Sequence, residues 1–241
     1  TGGATGTPVG SVKFADNGVE LQTVALDGAG MAKLTTSALT VGSHPIVATF
    51  LGGTGFALST SNTVTQVVNK ADTTIALTSS ANPSAKGSPV TFTATPTVKA
   101  PGGGTITGTI TFMDGASPLG TASITGGAST ISVASLAVGA HNITAVYTGT
   151  ASLNGTTSEI LVQNVALNAA TVMLTSSKNP SSLGESVSFT AKVTGSGATP
   201  TGQVQFLDDT TALTTVNLSA GQAIFQTSTL TGGIHTINVK Y

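Results

Sequence analysis

Leu136-Ala137-Val138-Gly139-Ala140-His141-Asn142-Ile143-Thr144-Ala145-Val146-Tyr147 decides the fold. A glycine turn feeds a run in which His141, Ile143, Ala145 and Tyr147 share one parity, the period of a half-buried strand. The stretch occurs again as Leu39-Thr40-Val41-Gly42-Ser43-His44-Pro45-Ile46-Val47-Ala48-Thr49-Phe50. It occurs a third time as Leu230-Thr231-Gly232-Gly233-Ile234-His235-Thr236-Ile237-Asn238-Val239-Lys240-Tyr241. Each of the three histidines of the chain holds the same place in this motif. His44 to His141 is 97 residues and His141 to His235 is 94. A period near a hundred suits tandem small domains, each with its own core.

Outward from the middle copy, the pattern is all β. Ile75 and Leu77 alternate in a first strand (A), which Asn82-Pro83 ends. Val90, Phe92 and Ala94 alternate with threonines in strand B. A flexible loop, Gly102-Gly103-Gly104, leads to strand C with Ile110 and Phe112 inward. Asp114-Gly115 is a hairpin-turn signal. Strand D follows at Leu119–Ile124, strand E carries Ser129, Ile131 and Val133, the opening motif supplies a corner and strand F, and Glu159–Val165 is strand G. Seven short strands with regular turns and no helical period predict an immunoglobulin-like β-sandwich of antiparallel strands. A barrel is the other closed arrangement, but corner motifs of this kind favour a sandwich.

The last copy repeats the plan. Val187, Phe189 and Ala191 match the strand B residues, and Val204, Phe206 and Asp208 match Ile110, Phe112 and Asp114. In the first copy Val12, Phe14 and Asp16 take those places. The expected organisation is residues 1–69, a domain with strands C to G but not A and B; 70–167, a complete domain; and 168–241, a domain without strand G. A piece of a longer tandem array accounts for such ends more simply than completion by other chains. The junctions are four or five residues long and lack glycine, so a fairly stiff string of domains is expected.

Composition narrows the function. Charged residues are 7% of the chain, the formal net charge is -1, and the eight basic residues are all lysine. Nucleic-acid binding, which rests on phosphate neutralisation, has no support. There is no cysteine, so the cores hold by packing without disulfides. No apolar run approaches the ~18 residues of a membrane span.

Together V-x-F-x-A in strand B, G-x-[IV]-x-F-x-D around strand C, and L-x-x-G-x-H-x-I at the corner resemble the bacterial Ig-like repeat domains. The resemblance covers nearly the whole chain. Val239 stands where the middle copy has Ala145, and Phe50 where it has Tyr147; both suit a packed face. The resemblance implies tandem domains of large secreted or surface-attached proteins, acting as stalks, spacers or adhesin shafts, some with a part in carbohydrate or host-receptor binding.

His44, His141 and His235 are the candidate site residues. One per domain, they do not converge as the three or four ligands of a metal centre must. Each precedes its strand F core residue by two, where immunoglobulin domains place a corner tyrosine. Each is therefore read as a corner strut, its imidazole hydrogen-bonded to the backbone of the preceding turn. Asp16, Asp114, Asp208 and Asp209 lie at hairpin turns. One acid per turn is too few for calcium, Asp208-Asp209 being the exception, and all four are expected to bond nearby backbone N–H groups. The remaining acids are scattered, no nucleophile turn of the G-x-S-x-G kind occurs, and the glycine runs do not open helices, so catalysis, metal and cofactor have no support. Lys13 takes an outward position, which does not suit an intramolecular lysine–asparagine bond. Asn142-Ile143-Thr144, Asn154-Gly155-Thr156 and Asn217-Leu218-Ser219 fit the glycosylation triplet, as Thr-rich chains do by chance.

The expected function is a structural shaft, spacer or fibre of an extracellular or cell-surface bacterial protein, with neighbouring repeats as its partners and homotypic association of chains into a filament as a further step. The alternative is an adhesin or carbohydrate-binding module for a surface glycan or host ligand. Sugar contact favours exposed aromatics, whereas this chain has no tryptophan and two tyrosines, both expected at strand F core positions.

Overall fold

A computed structural model of the chain describes residues 6–196 and 199–241, and these contain strands, turns and loops but no helix. Contacts gather the chain into two compact units. One comprises Thr1–Thr78, Thr93–Ile131 and Thr144–Ile160; the other comprises Ser79–Phe92, Ser132–Ile143 and Leu161–Tyr241.

The first copy forms one sheet. Its strands are β1 (Ser11–Asp16), β2 (Val19–Ala25), β3 (Gly42–Phe50), β4 (Ser59–Thr60) and β5 (Val64–Val68), in the order β2-β1-β3-β4 with β5 also on β3. Strand E, expected between β2 and β3, does not form: residues 26–41 carry no strand. The other copies show the reason. There strand E pairs with strand B, and among the described residues no strand is placed to pair with residues 26–41. A tight loop stands instead, with Asp27 Oδ1 accepting from the Ala29 and Met31 amides at 2.9 and 2.8 Å.

The middle copy is made of β6 (Thr73–Ser79), β7 (Ser84–Ala85), β8 (Val90–Val98), β9 (Thr109–Asp114), β10 (Ser117–Ser123), β11 (Ser129–Val133), β12 (Gly139–Gly149), β13 (Asn154–Thr157) and β14 (Leu161–Ala166). They lie in two sheets, β11-β8-β6 and β10-β9-β12-β14-β7, with β13 also on β12. The strand lettered D is therefore a neighbour of C, not of E. The last copy has β15 (Ala170–Ser176), β16 (Val187–Gly195), β17 (Gln203–Asp208), β18 (Thr211–Asn217), β19 (Gln222–Thr227) and β20 (Ile237–Lys240), in sheets β15-β16-β19 and β18-β17-β20.

Alternation places the cores. Val90, Phe92, Ala94, Ile110, Phe112, Ile143 and Ala145 are fully buried in the middle copy. In the last copy Val187, Phe189, Ala191 and Val193 from β16 pack with Val204 and Phe206 from β17 and Ala223 from β19, so the two sheets share one core. The equivalent residues of the first copy, Val12, Phe14, Ile46, Ala48 and Phe50, are half-buried, because a single sheet covers its apolar face from one side only. A register shift recurs at one place in each copy: beside Phe14, Phe112 and Phe206 the partner strand skips a residue. The extra residue, Leu21, Leu119 or Leu213, sits on the partner strand and breaks the alternation there, while the phenylalanine stays in step. Outward threonines pair across strands, Thr74 with Thr97 and Thr171 with Thr194 at 2.8 Å, and Thr111 with Thr121 at 3.0 Å.

Candidate functional site

The recurring motif builds a charged corner. In the first copy β1 ends at Asp16 and β3 opens at Gly42, whose φ of +146° suits glycine and lets the chain turn into the strand. His44 Nε2–H donates to the Thr40 carbonyl at 2.8 Å, and Nδ1–H donates to Asp16 Oδ2 at 2.6 Å. In the last copy His235 Nε2–H donates to the Thr231 carbonyl at 3.0 Å and Nδ1–H to Asp208 Oδ2 at 2.5 Å. In the middle copy His141 Nε2–H donates to the Ala137 carbonyl at 2.9 Å. Each ring thus meets the carbonyl four residues before it. Asp16 and Asp208 differ from the expected turn aspartates, since their carboxylates face histidine rings. The signal was present in the sequence: an aspartate after F-x and a histidine after L-x-x-G-x occur once per copy.

A carboxylate and a carbonyl both accept, so both ring nitrogens must carry hydrogen for the pattern to close. The imidazolium is the form that fits. Hydrogen bonding to Asp16, then to the Thr40 carbonyl, raises the pKa of His44 above the ordinary histidine value. Asp208, then the Thr231 carbonyl, does the same for His235, with Asp209 adding to it. A raised folded-state pKa means stability that is fully present below about pH 6.5 and lost as pH rises through the folded value. The ring signals of His44 and His235 in an NMR titration are therefore expected to move at a higher pH than those of an unstructured histidine peptide. Titration at or below the peptide value would sink this reading. The histidines stay one per copy, and among the described residues no group of three or more His, Cys, Asp or Glu could hold a metal ion.

The second constellation is the linker Asn69-Lys70-Ala71-Asp72. It is held by the loop that follows β12. Ala71 N–H donates to the Ser152 carbonyl at 3.0 Å and Asn154 N–H donates back to the Ala71 carbonyl at 2.8 Å. Lys70 Nζ donates to the Thr150 carbonyl and Asn154 Nδ2 to Asp72 Oδ1, both at 2.8 Å. Thr73 Oγ1 donates to the Asn154 carbonyl, again at 2.8 Å. Gly102 approaches so closely that a Cβ there would lie 2.5 Å from Ala71 Cβ. A cleft of about 820 Å³ runs beside the linker, with Leu39, Val41, Lys70, Lys99 and Gly103 in its wall. Among the described residues every buried side-chain nitrogen or oxygen has a hydrogen-bond partner, so no orphaned polar group marks a ligand position.

The third was not read from the sequence. Gln163 on β14 is fully buried. Its Nε2 donates to the Ala81 carbonyl at 2.8 Å, the Asn164 carbonyl at 3.1 Å and Ser84 Oγ at 3.2 Å, and its Oε1 accepts from Ser79 Oγ at 2.6 Å. Asn82 adds two bonds to the same strand, Nδ2 donating to the Val162 carbonyl at 2.7 Å and Oδ1 accepting from Asn164 N–H at 2.9 Å. Gln66 holds the equivalent place on β5, 22 residues after its histidine as Gln163 is, yet it is exposed. That matched spacing was the available signal.

The family model described as bacterial Ig-like domain (group 3) matches residues 1–69, 77–166 and 174–241. No curated protein matches the chain. Among solved structures it is similar to the fibronectin(III)-like modules of Clostridium thermocellum CbhA, at 17% identity and a TM-score of 0.32 over 68% of this chain and 82% of that one. It is also similar to a chimeric titin Z1Z2, at 17% identity and 0.26 over 64% and 83%. A third similarity is to E. coli alpha-2-macroglobulin, at 13% identity and 0.28 over 91% of this chain and 16% of that one.

Proposed function

Since the chain belongs to the bacterial Ig-like domain (group 3) family, in three tandem copies, we propose that it serves as a structural spacer in the shaft or fibre of an extracellular or cell-surface protein. Bacterial Ig-like domains in tandem are typical of surface proteins. The observation that carries the proposal is the bonded linker. A spacer must keep its length, and a junction that swings freely does not. Here Lys70, Ala71, Asp72 and Thr73 each hydrogen-bond to Thr150, Ser152 or Asn154, which removes the freedom a short linker would otherwise keep.

The histidine corners serve the same end. Each ties the turn before strand F to the strand itself, and in the first and last copies also to the end of strand C. The role is structural and non-catalytic, with no cofactor and no metal. Exposed aromatics, which a carbohydrate-binding module would use, are scarce. All eight phenylalanines are buried or half-buried, and Tyr147 is buried with its hydroxyl donating to the Thr107 carbonyl at 3.0 Å. Tyr241 is half-exposed, unlike the core position expected for it, and donates to the Thr201 carbonyl at 2.9 Å.

Backbone relaxation tests the linker. The amides of Lys70 to Asp72 are expected to be as ordered as those of β6. Asn154→Ala, which removes the bond to Asp72, and Gly102→Ala, which drives a methyl into Ala71, should each lower that order while leaving the last copy unchanged. Amides already as mobile as a free linker in the unaltered chain would refute the spacer reading.

A further inference from the structure

Gln163 is a fully buried amide, and apart from its bond to Asn164 its contacts all run to the stretch between Ser79 and Ser84. That stretch has a particular place in the middle copy. The chain enters through β6, in the sheet β11-β8-β6, then passes to β7 in the other sheet, where it lies against β14, the strand by which the chain leaves. β7 and β14 run parallel, Ser84 opposite Val165 and Ala85 opposite Ala166. The ladder itself is brief, since β7 is two residues long. Side chains lengthen it in both directions. Gln163 and Asn82 bond across it on one side, and on the other Lys86 N–H donates to the Ala166 carbonyl at 2.9 Å and Asn168 Nδ2 to the Lys86 carbonyl at 3.3 Å.

Direction decides what such a seam resists. Tension along the chain reaches the middle copy ahead of β6 and leaves it after β14. Because β7 and β14 point the same way, that tension draws β7 back toward its start and β14 on toward its end. The two are pushed to slide along their shared axis, and the bonds set across the axis are loaded together. Two strands parted from one end open bond by bond instead. Hydrogen bonds weaken steeply as they stretch and tilt, so a set that must break at once gives more slowly than the same set broken in turn. Burial adds to this, because water does not take over the bonds of Gln163 as they begin to lengthen.

We propose that the β7–β14 seam is the tension clamp of the middle repeat, with Gln163 and Asn82 as the side chains that pin it. The function is to carry load along the chain: the entering segment is fastened directly to the leaving strand, so force crosses the domain through the seam. This deepens the spacer reading and rests on it, since a shaft is what puts the chain under tension, but the two fail separately.

The test holds the whole chain at constant force and measures how long the middle copy survives, a lifetime set by its unfolding rate. The chain has no cysteine of its own, so Asn69→Cys with Leu167→Cys supplies handles where force enters and leaves. Loss of the copy is read as a step of roughly 300 Å, the extended length of Thr73 to Ala166 less the folded span. Lys86→Cys with Leu167→Cys grips both strands at one end of the seam and peels them apart. Survival is expected to be at least about tenfold shorter when peeled than when sheared at the same force. Equal survival would overturn the clamp. Gln163→Ala should shorten survival under shear at least about tenfold. Val133→Ala on β11, in the other sheet, lowers stability without touching the seam and should stay within about twofold, because contacts still formed when the barrier is crossed do not change the unfolding rate. Matching losses for Gln163→Ala and Val133→Ala would overturn Gln163 as a pin. If Gln163→Ala leaves no folded copy to pull, Asn82→Ala, at an exposed position, replaces it in the same comparison and with the same outcomes. None of these failures touches the spacer reading, which stands on the linker amides, and mobile linker amides would leave the clamp standing.

Discussion

Phe206→Ala is expected to destabilise the last repeat by about 3–5 kcal/mol, the range for deleting a buried phenylalanine from a packed core. Phe206 is fully buried on β17, and its ring stands 5.6 Å from that of Phe225 at a 46° tilt. Phe225 in turn stacks on Phe189 at 6.4 Å, so one truncation removes one end of a three-ring cluster spanning both sheets. Phe14→Ala provides the comparison. The residue has the same place in its copy and the same bulge beside it, but it is half-buried on a single sheet. Its loss should cost less than half as much. Repeats in a chain unfold as separate transitions, so urea unfolding is best followed through amide signals assigned to each copy. Equal losses at the two positions would contradict the difference in packing.

Gln163→Ala should cost the middle repeat roughly 2–3 kcal/mol, because it empties a fully buried position, takes a partner from the buried Ser84 Oγ and leaves Ser79 Oγ only its bond to the Ala81 carbonyl. Gln66→Ala, at the exposed equivalent, should fall within about 0.5 kcal/mol of no effect, as surface changes do. The pair separates environment from residue type: the same side chain is deleted from the same strand position in two copies. A leucine in place of Gln163 keeps the volume and removes the polarity. If leucine restores the stability that alanine loses, the cost was cavity and not hydrogen bonding.

Much of this fold was legible because strand alternation and turn chemistry are local. Val90, Phe92 and Ala94 declare a strand by their own spacing, and Asp114-Gly115 declares the hairpin that follows. The three histidine motifs then give the period. Sheet membership is not local. Asp114-Gly115 puts Ser117–Ser123 beside β9, but nothing in either strand says that the hairpin joins β12 and not β8. Strand E of the first copy is a related case, since a strand exists only with a partner and among the described residues none lies beside residues 26–41. The Asp–His corner and the Gln163 clasp join residues 27 to 84 positions apart, as in His235 with Asp208 and Gln163 with Ser79. Their residue types were visible, and their meeting was not.

The outward threonine pairs carry one more consequence. Thr74 with Thr97, Thr111 with Thr121 and Thr171 with Thr194 knit neighbouring strands on their solvent side with neutral hydroxyls. Most surface knitting in proteins uses lysine and glutamate, whose attraction fades as dissolved salt screens it. Hydroxyl pairs carry no charge to screen, and with 7% charged residues the chain has little else for ions to act on. A surface built this way keeps the same grip on itself in dilute and in concentrated brine.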